Sequence, residues 1–155
     1  MISLHLKDEA GTRAAGAKLA PLLQAGDVVA LYGDLGAGKT TLSRGLISAL
    51  MGAATEVPSP TYTLVQTYDA LDFPIFHFDL YRLESPDELV ELGWDETQTG
   101  LALIEWPARA GDALPAWRLD VRLEAYETGR KLTLAGHGED WQTRLYDFRF
   151  DDTTV

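Results

Sequence analysis

The run Gly33-Asp34-Leu35-Gly36-Ala37-Gly38-Lys39-Thr40 constrains this chain more than any other stretch, because it fits the pattern G-x-x-x-x-G-K-[ST]. Small residues let the backbone come close to an anion, with its N–H groups turned inward as a nest. At this spacing Lys39 is placed to reach the β- and γ-phosphates of a nucleotide. The Thr40 hydroxyl falls where Mg2+ would be held. A helix opening at the end of such a loop directs its positive end at the same anion.

The flanks supply the setting that the motif requires. Asp27 to Tyr32 is short and mostly apolar, which predicts a buried parallel strand. Beyond the loop, Leu42, Leu46, Ile47 and Leu50 recur at helical spacing until Gly52, which predicts a helix and its stop. Strand, glycine-rich loop and helix follow in the order expected of a phosphate-binding unit. Lys39 is expected to have no structural partner in the free protein.

Composition narrows the rest. A chain of 155 residues suits one domain, expected over residues 1–150 with a short tail at 151–155. Cysteine is absent, which removes disulfides and thiolate metal sites and agrees with a reducing cytosol. Neither a membrane-span length of apolar sequence nor a secretion signal is evident, so a cytoplasmic location with no membrane partner is expected. The three histidines, His5, His77 and His137, are scattered and suggest no zinc cluster. Twenty-four acidic residues against thirteen basic ones leave a net charge of −11. Such a surface repels a phosphate backbone, so a role around nucleic acid calls for a basic partner to hold it.

Along the chain, Ile2, Leu4 and Leu6 alternate as in a strand. Asp8 is placed to cap a helix running to about Gln24, with Pro21 expected to shorten or kink it. Pro58-Ser59-Pro60 breaks the chain before a strand expected over Tyr62 to Tyr68. A further strand is expected over Phe73 to Phe78, a helix near Pro86 to Leu92, and a short buried strand over Leu101 to Ile104. Leu119, Val121, Leu123, Leu132 and Leu134 alternate with polar residues around a Thr128-Gly129 turn, which predicts an antiparallel hairpin. The segment from Glu139 onward holds Trp141, Leu145, Tyr146, Phe148 and Phe150, too aromatic for a plain disordered tail. The fold class is therefore α/β, a mainly parallel central sheet with antiparallel additions and flanking helices.

Nucleotide chemistry on such a sheet needs a carboxylate at the end of a neighbouring strand, to fix Mg2+ or its water. Asp79 and Glu105 each end an apolar run and are the two candidates. Ser59, Thr61 and Thr63 place hydroxyls in a stiff loop suited to sensing a γ-phosphate. Trp106 follows Glu105 and either packs near the nucleotide or serves as core or a surface plug. Arg130 follows the hairpin turn, where it either reaches base or phosphates or is a solvated turn residue.

Taken together, four strings resemble the TsaE family, bacterial P-loop ATPases of tRNA threonylcarbamoyladenosine synthesis. They are Gly33 to Thr41, Ser59 to Val65, His77-Phe78-Asp79-Leu80-Tyr81-Arg82-Leu83, and Ile104-Glu105-Trp106-Pro107. Their order and spacing also match, over about residues 1–138. The resemblance implies that Gly36, Ala37, Gly38, Lys39, Thr40 and Thr41 hold the phosphates of ATP or ADP, with Thr40 and Glu105 on Mg2+. It implies a catalytic set of Lys39, Asp79 and Glu105, in which Asp79 orders the metal or the attacking water. Ser59 to Thr63 would form a nucleotide-sensitive loop, Trp106 would lie by the site, and Arg130 and Asp8 would flank the adenosine. It further implies weak hydrolysis that is stimulated by a complex of the partners TsaB and TsaD. This ATPase would then drive cycling of the machinery that modifies position 37 of tRNAs, meeting tRNA only through those partners.

Two other classes compete. A small stand-alone P-loop kinase would usually carry an arginine-rich lid, and residues 85–99 contain no arginine. A nucleotide switch without significant turnover would bind and signal through its loop. The chain lacks an Asn-Lys-x-Asp base motif, which favours ATP over GTP.

Overall fold

A computed structural model describes residues 1–146 and Phe148; the proposed tail at 151–155 and the aromatic Phe150 lie outside the described residues. Seven strands form one sheet: β1 (Ile2–Leu6), β2 (Val28–Tyr32), β3 (Val65–Asp69), β4 (Pro74–Asp79), β5 (Leu101–Glu105), β6 (Arg118–Tyr126) and β7 (Gly129–His137). Their order across the sheet is β1-β7-β6-β2-β5-β4-β3. The central four, β6, β2, β5 and β4, run parallel. Antiparallel pairs add β7 and β1 at one edge and β3 at the other. The expected fold class is the observed one.

Alternation along the central strands divides the core in two. Val29, Leu31, Ile75, Leu101 and Leu103 join the cluster under the α-helices, α1 (Glu9–Leu19), α2 (Lys39–Met51) and α3 (Glu139–Leu145). Val28, Phe76, Phe78, Ala102 and Ile104 join a second cluster, covered by Leu83, Leu89 and Ala110 from the 3-10 segments and the loop before them. A sheet buried on both faces explains why these strands read as continuous apolar runs.

Helices α1 and α2 approach at two glycines. A methyl group added at Gly16 would lie 2.1 Å from the Leu42 carbonyl oxygen, and one at Gly45 would lie 2.0 Å from that of Arg13. The backbones therefore touch, and the start of α2 is held firmly over the sheet.

Three expected elements differ from the structure. The first helix is α only to Leu19 and continues as a 3-10 turn over Ala20–Leu22, because Pro21 cannot donate into an α ladder. The segment Pro86–Leu92 is likewise 3-10. The strand expected from Tyr62 begins only at Val65. Leu64 sits at φ 67° in a turn closed by its N–H on the Pro60 carbonyl at 2.7 Å. Its own carbonyl accepts from the Asp79 N–H at 2.9 Å, so the turn replaces three residues of ladder and ties the loop to the end of β4. Among the described residues no helix is long and apolar enough to cross a membrane.

Candidate functional site

Chain order reverses around β2: β5 lies on one side and β6 on the other, so a crevice opens at the carboxyl ends of the strands. The loop 33–38 leaves β2 into this crevice. Gly36 and Gly38 take φ of 79° and 107°, a region that other residues enter only at a cost. Gly38 is the N-cap of α2 and brings no side chain to it. The first N–H groups of this helix are thus left for an outside acceptor.

Lys39 is only 5% exposed. Its ammonium donates to the Gly33 carbonyl at 2.5 Å and lies 3.5 Å from the centre of the Trp106 ring. The expectation that Lys39 has no structural partner in the free protein is therefore wrong. A buried ammonium needs acceptors for its protons and charge, and a carbonyl and an aromatic face supply them. No carboxylate forms a direct ion pair with it among the described residues. Burial pushes the ammonium below the ordinary lysine value, and Glu105, Asp79 and Asp34 pull it back part of the way.

Asp79 and Glu105 end adjacent parallel strands and face each other in register. Both are buried, at 4% and 2% exposure. Each Asp79 oxygen is engaged: Oδ1 accepts from the Tyr81 N–H at 3.0 Å and Oδ2 from the Thr61 hydroxyl at 3.2 Å. Glu105 Oε2 bonds His77 Nε2 at 2.6 Å, whereas Oε1 is only loosely held, 3.4 Å from the Thr40 hydroxyl. These acids, with Gly36, Gly38, Lys39, Thr40, Thr41, Ser59, Thr61 and Trp106, line one cavity of about 240 Å3. Ser59 and Thr61 are joined through their hydroxyls at 2.7 Å. Thr63 lies apart, exposed on the turn and outside that lining.

A neighbouring cavity of about 270 Å3 is lined by Asp8, Thr12, Gly36, Ala37, Gly38, Thr41 and Arg130 among others. Asp8 Oδ1 caps α1 through the Gly11 N–H at 2.8 Å. Arg130 donates to the carbonyls of Ala37 and Gly36 at 3.0 and 3.1 Å, so its guanidinium holds the outer side of the loop. Gly36, Gly38 and Thr41 line both cavities, whereas Ala37 lines only the outer one.

A Mg2+ ion takes one or two carboxylates and completes its shell with phosphate oxygens and water. The Thr40 hydroxyl beside the loosely held Glu105 Oε1 is a donor set of that kind. His77 heads one of the strings that carry the resemblance but has no role in the reading of the sequence, yet its ring is fully buried against Glu105. The available signal was its place two residues before Asp79, which puts both side chains on one face of a strand.

The family model described as "Threonylcarbamoyl adenosine biosynthesis protein TsaE" matches residues 6–132. A protein of Rickettsia conorii named tRNA threonylcarbamoyladenosine biosynthesis protein TsaE is 42% identical over 150 residues, covering 94% of this chain and 86% of its own. Proteins of the same name from Haemophilus influenzae and Bacillus subtilis are each 37% identical, over 86% and 84% of this chain and 88% and 83% of theirs. The crystal structure of Bacillus subtilis YdiB superposes with a TM-score of 0.78 at 28% identity, covering 96% of this chain and 95% of that one. Matched over most of its length in sequence and in fold, the chain belongs to the TsaE family.

Proposed function

We propose that this chain binds ATP with Mg2+ and hydrolyses it slowly, as the accessory ATPase of threonylcarbamoyladenosine formation at position 37 of tRNAs. In this reading the protein is a single cytoplasmic domain over residues 1–150. The observation that carries the proposal is a buried ammonium, Lys39, facing two buried strand-end acids across a glycine loop and an uncapped helix terminus.

Each residue then has a role. Gly36 to Thr41 hold the phosphates, and Lys39 exchanges the Gly33 carbonyl for β- and γ-oxygens. Thr40 and Glu105 hold Mg2+, which when bound would neutralise charge developing on the transferred phosphoryl group. Asp79, with both oxygens already bonded by protein donors, orients the attacking water. Asp8 and Arg130 flank the adenosine, Trp106 closes the mouth, and Ser59 to Thr63 respond to the γ-phosphate. TsaB and TsaD would supply the stimulation and the tRNA contact; the names borne by the relatives support the pathway, tRNA threonylcarbamoyladenosine biosynthesis.

The test is ligand-induced stabilisation, since a ligand that binds only the native state raises its melting temperature by mass action. The parent should show a clear shift with ATP and Mg2+, and Lys39→Ala should lose it. An undiminished shift in the variant would remove the phosphate-loop assignment.

A further inference from the structure

We propose that His77 is a positioning residue for Glu105: it holds Oε2 so that Oε1 is presented to the Thr40 side of the cavity. The inference rests on the reading of Glu105 as the carboxylate that meets Mg2+.

The geometry begins with the strands. Ile75, His77 and Asp79 project from one face of β4, and Leu101, Leu103 and Glu105 from the same face of β5. His77 lies in register with Leu103, so its ring reaches diagonally to Glu105, where Nε2 and Oε2 are 2.6 Å apart. A carboxylate accepts, so Nε2 is the donor. Asp79 stands opposite Glu105 in register, and two adjacent buried acids need separate donors. Asp79 has Tyr81 N–H and Thr61, and Glu105 has His77.

The other ring nitrogen carries the argument further. Nδ1 is buried and finds no hydrogen-bond partner among the described residues. A histidine kept only for packing would be poorly chosen here, since an apolar side chain of similar shape would avoid stranding a polar atom. Groups that orient a metal's ligands typically change metal affinity by about 10- to 100-fold when removed.

The experiment measures ADP affinity, free of turnover, in Mg2+ and in EDTA. His77→Met removes the donor at similar volume, and His77→Gln restores an N–H donor. Expected is a loss of about tenfold in the Mg2+-dependent gain for His77→Met, with affinity in EDTA unchanged. His77→Gln should keep most of the gain, and His77→Met should add nothing in a Glu105→Gln background. Long-range 1H–15N NMR on the nucleotide-free parent should place the ring proton on Nε2. A His77→Met variant with the parent's Mg2+ gain, or a ring proton on Nδ1, overturns the inference. Should His77→Met not fold, the tautomer and the glutamine variant decide, and a glutamine variant as impaired as Glu105→Gln overturns it. If Glu105→Gln itself keeps the full Mg2+ gain, the metal reading falls and takes this inference with it. A loss in Glu105→Gln without a loss in His77→Met sinks the positioning role alone.

Discussion

Lys39 embodies a conflict between function and stability. Its ammonium is buried and its pKa is lowered first by that burial, which means the carbonyl, the ring and the distant acids do not fully replace water. For a lysine with a lowered native pKa, the unfolded chain binds more protons, so the cost to the fold is fully present at neutral pH. That cost fades as pH rises through the native pKa toward the ordinary value of 10.5. Lys39→Met keeps the aliphatic stem and removes the charge. The nucleotide-free variant should therefore melt higher than the parent at pH 7, by about 2–4 °C for each kcal/mol relieved in a chain of this size. The gap should narrow toward pH 10, and calorimetry across that range checks it. A variant that melts lower at pH 7 would mean that the Gly33 and Trp106 contacts outweigh the desolvation. The two acids differ in a related way. Asp79 has both oxygens occupied by protein donors, whereas Glu105 leaves Oε1 only weakly engaged. Asp79→Asn should keep Mg2+-dependent nucleotide affinity and lose phosphate release, while Glu105→Gln should lose the affinity. Calorimetric titration beside a phosphate assay separates them, and two variants that turn over like the parent would make both acids ordinary strand ends.

At the scale of elements, the contact between α1 and α2 decides where the phosphate loop ends. Alanine at an exposed helical position improves on glycine by about 1 kcal/mol. At Gly45 that gain meets a methyl group 2.0 Å from the Arg13 carbonyl, and overpacking typically costs about 1–3 kcal/mol. Gly45→Ala should therefore destabilise, and because α2 must move it should also weaken ATP binding; melting curves with and without ATP check both. A stabilised variant would show that the helices part at no cost. The elements also explain what the sequence could reveal. The phosphate loop was legible because its residues are contiguous, and Asp79 and Glu105 because a buried parallel strand leaves a clear apolar run before its last residue. The turn at Leu64 was not, since Tyr62 to Tyr68 favours a strand locally and only the Pro60 and Asp79 backbone bonds override that preference. The Gly33 bond to Lys39 was hidden for the same reason, being a fact of loop geometry. Arg130 stands out only through the family resemblance, since its place after a turn fits a solvated residue equally well. Its grip on the Ala37 and Gly36 carbonyls comes from β7, which carries it, pairing with β6 beside β2.

The whole molecule carries a net charge of −11, and this sets how it can meet tRNA. Binding to a phosphate backbone gains most of its free energy by releasing counterions from cationic contacts, and an acidic surface forfeits that gain. The isolated chain should bind tRNA poorly at physiological salt, while its complex with TsaB and TsaD binds well. A mobility-shift titration at two salt concentrations tests this, and tight binding by the isolated chain that falls steeply with salt would reveal a basic face. The proposed dependence on partners then requires a part of the molecule that reports the nucleotide. The loop of Ser59 and Thr61 is the candidate, because Thr61 bonds Asp79 at 3.2 Å and the Leu64 carbonyl accepts from the Asp79 N–H. A movement of Asp79 on binding γ-phosphate would therefore be passed to this loop. A partner gains from that movement only by binding the two loop states with different affinity. Phosphate release should accordingly rise several-fold with both partners together and little with either alone. Thr61→Ala cuts the hydroxyl link without touching the phosphate loop, so it should blunt stimulation more than it weakens ATP affinity. Steady-state phosphate release with each partner combination, beside ATP affinities, decides the matter. Full activity without partners would favour the stand-alone kinase, and stimulation untouched by Thr61→Ala would move the sensing role to another loop.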